Sequence, residues 1–409
     1  MPVEVDRLFD ALRAAGMTGV PVRFSVVPSH QVIPRETLDG IDAFIRLFDR
    51  VTTRRQWCEA ATGSAPEVAL RPRREVCFFS AWDFHISPEH PGSWQLIECN
   101  DNGSGFLFAA RINRIFYELS SPAVRAAVEP PPALAAFDAH LAGLVEREAV
   151  AFFGEVPRGT FLILDDADSL ARGRFRDELS MLRDRFRSQG WEADVAAPDV
   201  LRWHGGRLVA GGREVRFVVN RSTDFFLRDA GLAPLREAYL AGRVYIAPNP
   251  FTYATRSDKR LLEWLSLPER DAELGIRPEE RAVLRDHVPE SRVLRAENLD
   301  ALALRKDAFV FKPCHGFAGR GLLPSAQVGQ TRLRRLLRRG EPYLAQRRVP
   351  KHRVTAEPGG TAGLWADLRV WAYRGERFLV SGRASRRPDR IDLAPPGGWI
   401  PTFPAGQPS

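Results

Sequence analysis

With 409 residues and 44% apolar side chains, the chain can fill roughly two or three domains with real cores, which excludes wholesale disorder. Its net charge of +8 comes from 59 basic residues interspersed among 51 acids. No basic run interleaves with aromatics as a nucleic-acid groove requires, and no apolar run reaches membrane length, so neither nucleic acid nor membrane is an expected partner.

The N-terminal segment 3–16 reads as an amphipathic helix of mixed charge rather than a signal peptide. Four cysteines without CxxC spacing argue against a zinc site or a disulfide framework. The expected location is therefore the cytoplasm, with reduced thiols. Residues 22–27 (VRFSVV) are predicted as a strand and 37–52 as a helix, from Leu38, Ile41, Phe44, Ile45 and Phe48 at helical spacing. EVCFFSAWDFHI (75–86) and SWQLIECN (93–100), joined by SPEHPG, form a hairpin pattern. A helix at 105–119 precedes the turn-rich SSPAVRAAVEPPPAL. TFLILDD (160–166), a helix at about 170–189, EADVAA, EVRFVVN, a helix at 233–241 and VYIAP then alternate strand and helix, which predicts a small, mostly parallel α/β layer. After a helix at about 258–266 the chain returns to β, in FVFKP, YLAQRRV, LWADLRVWAYRG and ERFLVSGRASR.

Five stretches carry chemistry. In IECNDN (97–102), Glu98 and Asn100 share one face of a strand, and Asp83 lies on the partner strand. A register that sets Asp83 beside Glu98 makes an oxygen cluster suited to Mg²⁺; a plain strand end with an Asx turn is the alternative. In FVFKPCHGFAGRG, Lys312 ends a strand, and Gly316, Gly319 and Gly321 follow. Glycines let backbone N–H groups approach phosphate oxygens, although this is neither a Walker loop nor a dinucleotide fingerprint. Lysine choice adds weight, because only Lys259, Lys306, Lys312 and Lys351 are lysines in an arginine-rich chain. A compact ammonium enters places that a planar guanidinium does not; Lys351 is expected at the surface or rim. YLAQ (Tyr343, Leu344, Ala345, Gln346) is an extended segment whose backbone could meet an adenine edge. Asp367 and Arg369 share a strand face in DLRVW, and Arg383 follows in SGRAS; these arginines are anion clamps or salt-bridge partners.

Together these stretches resemble the ATP-grasp superfamily. Lys312 with its glycine-rich loop is similar to the family's second nucleotide lysine, Lys259 to the earlier one, EPYLAQRRV to the adenine hinge, and IECN to the E-x-N metal motif. Because E-x-N precedes both lysines, the order resembles the circularly permuted group that includes glutathionylspermidine synthetase-like proteins, in which an Asp and E-x-N hold magnesium, matching Asp83, Glu98 and Asn100. The segment 218–250 is also similar. Position 81, where that synthetase would carry Arg, is Ala81, and residues 1–70 match no substrate module.

The resemblance implies an α/β, three-part ATP-grasp fold in permuted order. Residues 1–125 would carry the metal hairpin, 126–255 a Rossmann-like substrate domain, and 256–409 the lysines, lid loop and hinge. It implies ATP and Mg²⁺ as cofactors and an ATP-dependent carboxylate–amine ligase working through an acyl phosphate, with Arg369 or Arg383 steadying the reacting groups. The partners would be a small molecule or peptide bearing a carboxylate and an amine co-substrate; the oligomeric state stays open. A silent nucleotide-binding module and a phosphotransferase are the alternatives.

Overall fold

The computed structural model describes residues 3–90, 92–316, 321–356, 363–388 and 391–406. It is a mixed α/β structure built on two six-stranded sheets, a three-stranded sheet and a two-stranded pairing.

The first large sheet is antiparallel, and both ends of the chain contribute to it. Ala81–Ile86 pairs with Trp94–Asn100 on one side and with Gly363–Tyr373 on the other. Glu376–Ser385 and Gly398–Ile400 extend the far edge, and His352–Thr355 runs beside the start of Gly363–Tyr373. Alternation assigns the two faces along each strand, and within Trp94–Asn100 a bulge after Leu96 reverses the phase. Trp82, Phe84, Ile86, Trp94, Leu96, Leu368 and Val370 pack with Phe44, Ile45 and Phe48 of the helix Arg35–Thr52. Asp83, His85, Glu98, Asn100, Asp367, Arg369 and Arg383 take the opposite face. The predicted hairpin is present, with one irregularity: Asp83 opposes Glu98 but Phe84 opposes Leu96, so Ile97 is bulged out.

The second large sheet holds the expected parallel layer. Ala193–Ala196, Thr160–Leu164, Arg213–Asn220 and Tyr245–Ala247 run parallel, and an antiparallel hairpin, Leu201–His204 with Arg207–Ala210, extends one edge. The three-stranded sheet places Tyr343–Arg347 between Ser291–Val293 and Phe309–Pro313. No helix among the described residues is long and apolar enough to cross a membrane.

Three expectations need correction. The segment 22–27 is not a strand: Arg23 N–H turns back to Gly19 O, and only Val26 forms a bridge, to Trp399. Apolar content without a long edge to pair with does not make a strand. The helix at 170–189 is two helices, Ala167–Arg172 and Arg176–Ser188; Asp166 caps the first, and the break follows at Gly173. The helix near 258 begins at Leu261, after a π-helical turn, Tyr253–Ser257; such turns often mark functional sites.

Gly105 starts the helix Phe106–Leu119 at φ +93°. A Cβ there would lie 2.5 Å from the Trp399 ring. Gly105→Ala therefore combines a disfavoured backbone with overpacking and should cost about 2–4 kcal/mol; urea unfolding measures this.

Candidate active site

The polar face of the first sheet converges on two carboxylates. Asp83 is buried and takes a bidentate pair from Arg369, whose Nε and Nη2 donate to its two oxygens at 2.6 and 2.7 Å. Arg383 Nη2 lies 3.0 Å from Asp83 Oδ2, and Arg383 is itself seated on Asp367, to which its Nη2 and backbone N donate at 2.5 and 2.9 Å. Burial raises the proton affinity of Asp83, but Arg369 and then Arg383 outweigh it, so the carboxyl titrates below its usual range.

Glu98 faces the lysines. Lys259 Nζ lies 3.4 Å and Lys312 Nζ 3.9 Å from Glu98 Oε2. Burial again pushes the carboxyl up, and Lys259 and Lys312 bring it below the ordinary value. Lys312 is brought down to about 8, chiefly by burial, with Glu98 opposing. Its Nζ donates to Ile97 O at 3.1 Å and to Gln346 Oε1 at 2.9 Å. The bulge at Ile97 turns that carbonyl toward the lysine. Lys259 Nζ donates to Gly316 O at 2.8 Å, tying the start of the glycine-rich loop to the same point.

Asn100 closes the triangle. Its Nδ2 lies 3.4 Å from Asp83 Oδ2 and 3.2 Å from Glu98 Oε1. Rotating the amide by a half turn presents Oδ1 there instead.

Seven predicted residues thus meet: Asp83, Glu98, Asn100, Lys259, Lys312, Arg369 and Arg383. Gly316 lies beside them. Gly321 sits at φ +74°, with its carbonyl accepting from Tyr343 Oη at 3.2 Å, and Gly319 lies outside the described residues.

The hinge reading shifts. Tyr343, Leu344, Ala345 and Gln346 occupy a central strand, with ladders on both sides. Their backbone groups are spent on the sheet, and the N–H groups of Arg347 and Arg348 bond Glu290 O and Ala308 O. Lys351 is also not at the rim: it is buried, and its Nζ donates to Pro388 O at 2.6 Å. Arg369 is occupied as well, because its Nη1 donates to Ser104 O at 3.3 Å while the other two nitrogens hold Asp83. It reads as the carboxylate's clamp, whereas the contacts of Arg383 among the described residues run through its backbone N, Nε and Nη2.

His85 lies two residues beyond Asp83 on the same face. Its Nδ1 is 2.9 Å from Val349 O, and burial followed by the Lys351 charge brings the ring down to about 3, so it is neutral.

A second polar cluster, missed in the sequence, lies at the carboxyl ends of the parallel strands, where open α/β sheets hold ligands. Arg221 donates to Ser104 Oγ and, at 3.4 Å, to Glu178 Oε2. Glu178 also accepts from Gly105 N at 2.8 Å and Leu107 N at 3.0 Å. Arg221 Nε and Nη1 are buried without a hydrogen-bond partner among the described residues, an uncommon state that calls for an acceptor. Asp165 stands nearby, raised to about 6 by burial against the pull of Arg221. Ser104 joins the two clusters, since its carbonyl takes Arg369 and its hydroxyl takes Arg221. The sequence signal was DD and NRS at two strand ends, which only the parallel pairing brings together.

An unfolded Asp titrates near 3.9, so the folded state binds the Asp165 proton more tightly. The stability this contributes is complete below about pH 4 and is lost as pH rises through about 6. Asp165→Asn should therefore stabilise the protein by about 1–3 kcal/mol at pH 7.5 and far less at pH 4.5; urea titrations at the two pH values check the difference.

Comparison with known proteins gives the class of fold. No known family profile matches the sequence, and no curated protein matches it. Among solved structures, a glutathione synthetase-like effector from Globodera pallida, in its apo form, aligns over 98% of this chain and 96% of its own, with TM-score 0.58 and 12% identity. A protein from Methylobacillus flagellatus provisionally assigned as a gamma-glutamylcysteine synthetase covers 89% of this chain and 87% of its own, at TM-score 0.48 and 12% identity. The chain is thus similar in fold to the glutathione synthetase-like structure along nearly its whole length.

Proposed function

We propose that the protein is an ATP-dependent carboxylate–amine ligase of the circularly permuted ATP-grasp type, forming ADP and phosphate. The observation that carries this reading is the convergence of Asp83, Glu98 and Asn100 with Lys259 and Lys312, positions far apart in the chain. The whole-length likeness to a glutathione synthetase-like fold supports it.

Magnesium is tested first on the donor set. Among the described residues no group of three or more His, Cys, Asp or Glu side chains could hold a metal. Two carboxylates and an amide do meet here, with the Asn100 amide between Asp83 and Glu98. Hard oxygens of this kind suit Mg²⁺, so Asp83, Glu98 and Asn100 fit it. Bound there, the ion would neutralise charge on the phosphate oxygens.

The chain's own groups do the rest. Lys259 and Lys312 sit across Glu98, where ammonium groups can take triphosphate oxygens. The substrate carboxylate is placed toward Ser104, which lies between Arg369 and the buried Arg221. A carboxylate oxygen attacks the γ-phosphorus and the bond to the β-bridging oxygen breaks, giving an acyl phosphate and ADP. The amine then attacks the carbonyl carbon, phosphate leaves, and the amine releases a proton. Arg383, anchored by Asp367, steadies the phosphate oxygens. Arg369 keeps Asp83 ionised and aimed. Holding the weak nucleophile beside the triphosphate is the main task, because like charges must be brought together.

Glu98→Gln retains size but loses a charge. Turnover should fall about a hundredfold or more while the melting temperature stays close to wild type. Lys312→Arg keeps the charge but cannot fit between Ile97 O and Gln346 Oε1, so ATP affinity should fall roughly tenfold by calorimetry. With an accepted acid, ATP, Mg²⁺ and hydroxylamine, the protein should yield hydroxamate and ADP together. AMP in place of ADP would overturn the reading, and ADP with a stable phosphorylated product would point to a phosphotransferase.

A further inference from the structure

His85 is an imidazole on the reactive face that the reaction outlined above leaves unused. In Ala81–Ile86 the residues Trp82, Phe84 and Ile86 point into the apolar core, so Asp83 and His85 share the polar face. The His85 Nδ1 contact to Val349 O, at 2.9 Å, selects one tautomer of the neutral ring: a carbonyl can only accept, so Nδ1 carries the proton and Nε2 is left with the lone pair. That nitrogen has no hydrogen-bond partner among the described residues. The residue is largely but not fully buried, which leaves a ligand an approach to it.

Position says which part of a nucleotide it meets. Two residues of strand separate Asp83 from His85, about 7 Å. With phosphates at Asp83, Glu98 and the two lysines, His85 falls toward the nucleoside. Val349, which it holds, lies just past Arg348, whose N–H still bonds Ala308 O. The chemistry agrees. A lone pair repels phosphate oxygens, which are acceptors, and welcomes a hydroxyl, which donates. Other acceptors on the hinge are few: Pro342–His352 contains no Asp or Glu, the Gln346 oxygen is taken by Lys312, and the His352 Nδ1 lone pair is buried.

We propose that His85 Nε2 accepts a hydrogen bond from a ribose hydroxyl of the bound nucleotide, making His85 the residue that selects ribonucleotides over deoxyribonucleotides. The inference rests on the ATP reading of the site. Val349 O serves as the positioning group that turns the correct ring nitrogen outward.

The test is calorimetric titration of the full chain with Mg·ADP, Mg·2′-deoxy-ADP and Mg·3′-deoxy-ADP. Wild type should bind ADP about three- to tenfold more tightly than at least one deoxy analogue, the worth of one neutral hydrogen bond. His85→Phe, which keeps the ring and loses the acceptor, should bind all three equally, at the weaker affinity. His85→Gln, which returns an oxygen acceptor, should recover part of the preference. A purely structural role would lower all three affinities and the melting temperature together, leaving the preference intact. Equal binding of all three by wild type, or a preference surviving in His85→Phe, overturns the assignment; where His85→Phe does not fold, the wild-type and His85→Gln comparisons decide. Wild type that binds ADP without preference loses only the role of His85. Wild type that binds no adenine nucleotide loses the ATP reading and this inference with it.

Discussion

The bidentate pair between Asp83 and Arg369 is the interaction on which the rest of the site depends. Burying an unpaired carboxylate is prohibitive, and such a group takes up a proton instead. Arg369 lies on the neighbouring strand in direct register with Asp83, so the sheet ladder itself delivers the guanidinium. Arg383, one strand further, is turned inward by Asp367. Removing either partner of such a pair leaves the other charged and uncompensated, which costs far more than the pair itself contributes. The arrangement is a means of keeping an anion ready where solvent is scarce.

The two carboxylates are held from opposite sides by different cations. Rigid guanidiniums from the same sheet hold Asp83, while flexible ammoniums from elsewhere in the chain approach Glu98. The division follows the chemistry of the two groups. A fork that bonds in one plane fixes a geometry, and a point charge on a four-carbon stem can change partners when an anion arrives. Lys312 lying at about 8 expresses the same fact: its surroundings do not fully satisfy its charge, and an incoming polyphosphate would.

Much of this was legible in the sequence, for local reasons. Glu98 and Asn100 were readable as a pair because a period of two puts them on one face, and Asp83 because its strand alternates cleanly; parting Glu98 and Asn100 from Trp94 and Leu96 takes the bulge at Ile97. Lys259 and Lys312 stood out through lysine scarcity. The bulge at Ile97 was not legible, since one extra residue in a ladder leaves no compositional mark. The Tyr343–Gln346 backbone was misjudged because its second neighbour, Ser291–Val293, is three residues long with an arginine at its centre and shows no strand pattern. Arg221, Ser104 and Asp165 come from separate segments that only parallel pairing and a helix start unite. The 22–27 segment shows the converse error, an apolar run buried by packing rather than by a ladder.

The large antiparallel sheet also governs the order in which the molecule can be made. Asp83 and Arg369 are 286 residues apart, and a ribosome adding about 5–20 residues per second needs roughly tens of seconds to supply the second strand. Throughout that interval the hairpin has an open edge and an aromatic face. The face need not stay bare, because the helix Arg35–Thr52 has already emerged, and Phe44 and Phe48 meet Phe84, Trp94 and Trp82 edge-on. The nascent chain can thus shelter its own apolar surface early. The polar face, with an uncompensated aspartate at its centre, waits for strands from the far end of the chain. The polar face of this sheet is therefore completed last, and a chain ending before residue 363 lacks the arginines that keep Asp83 charged.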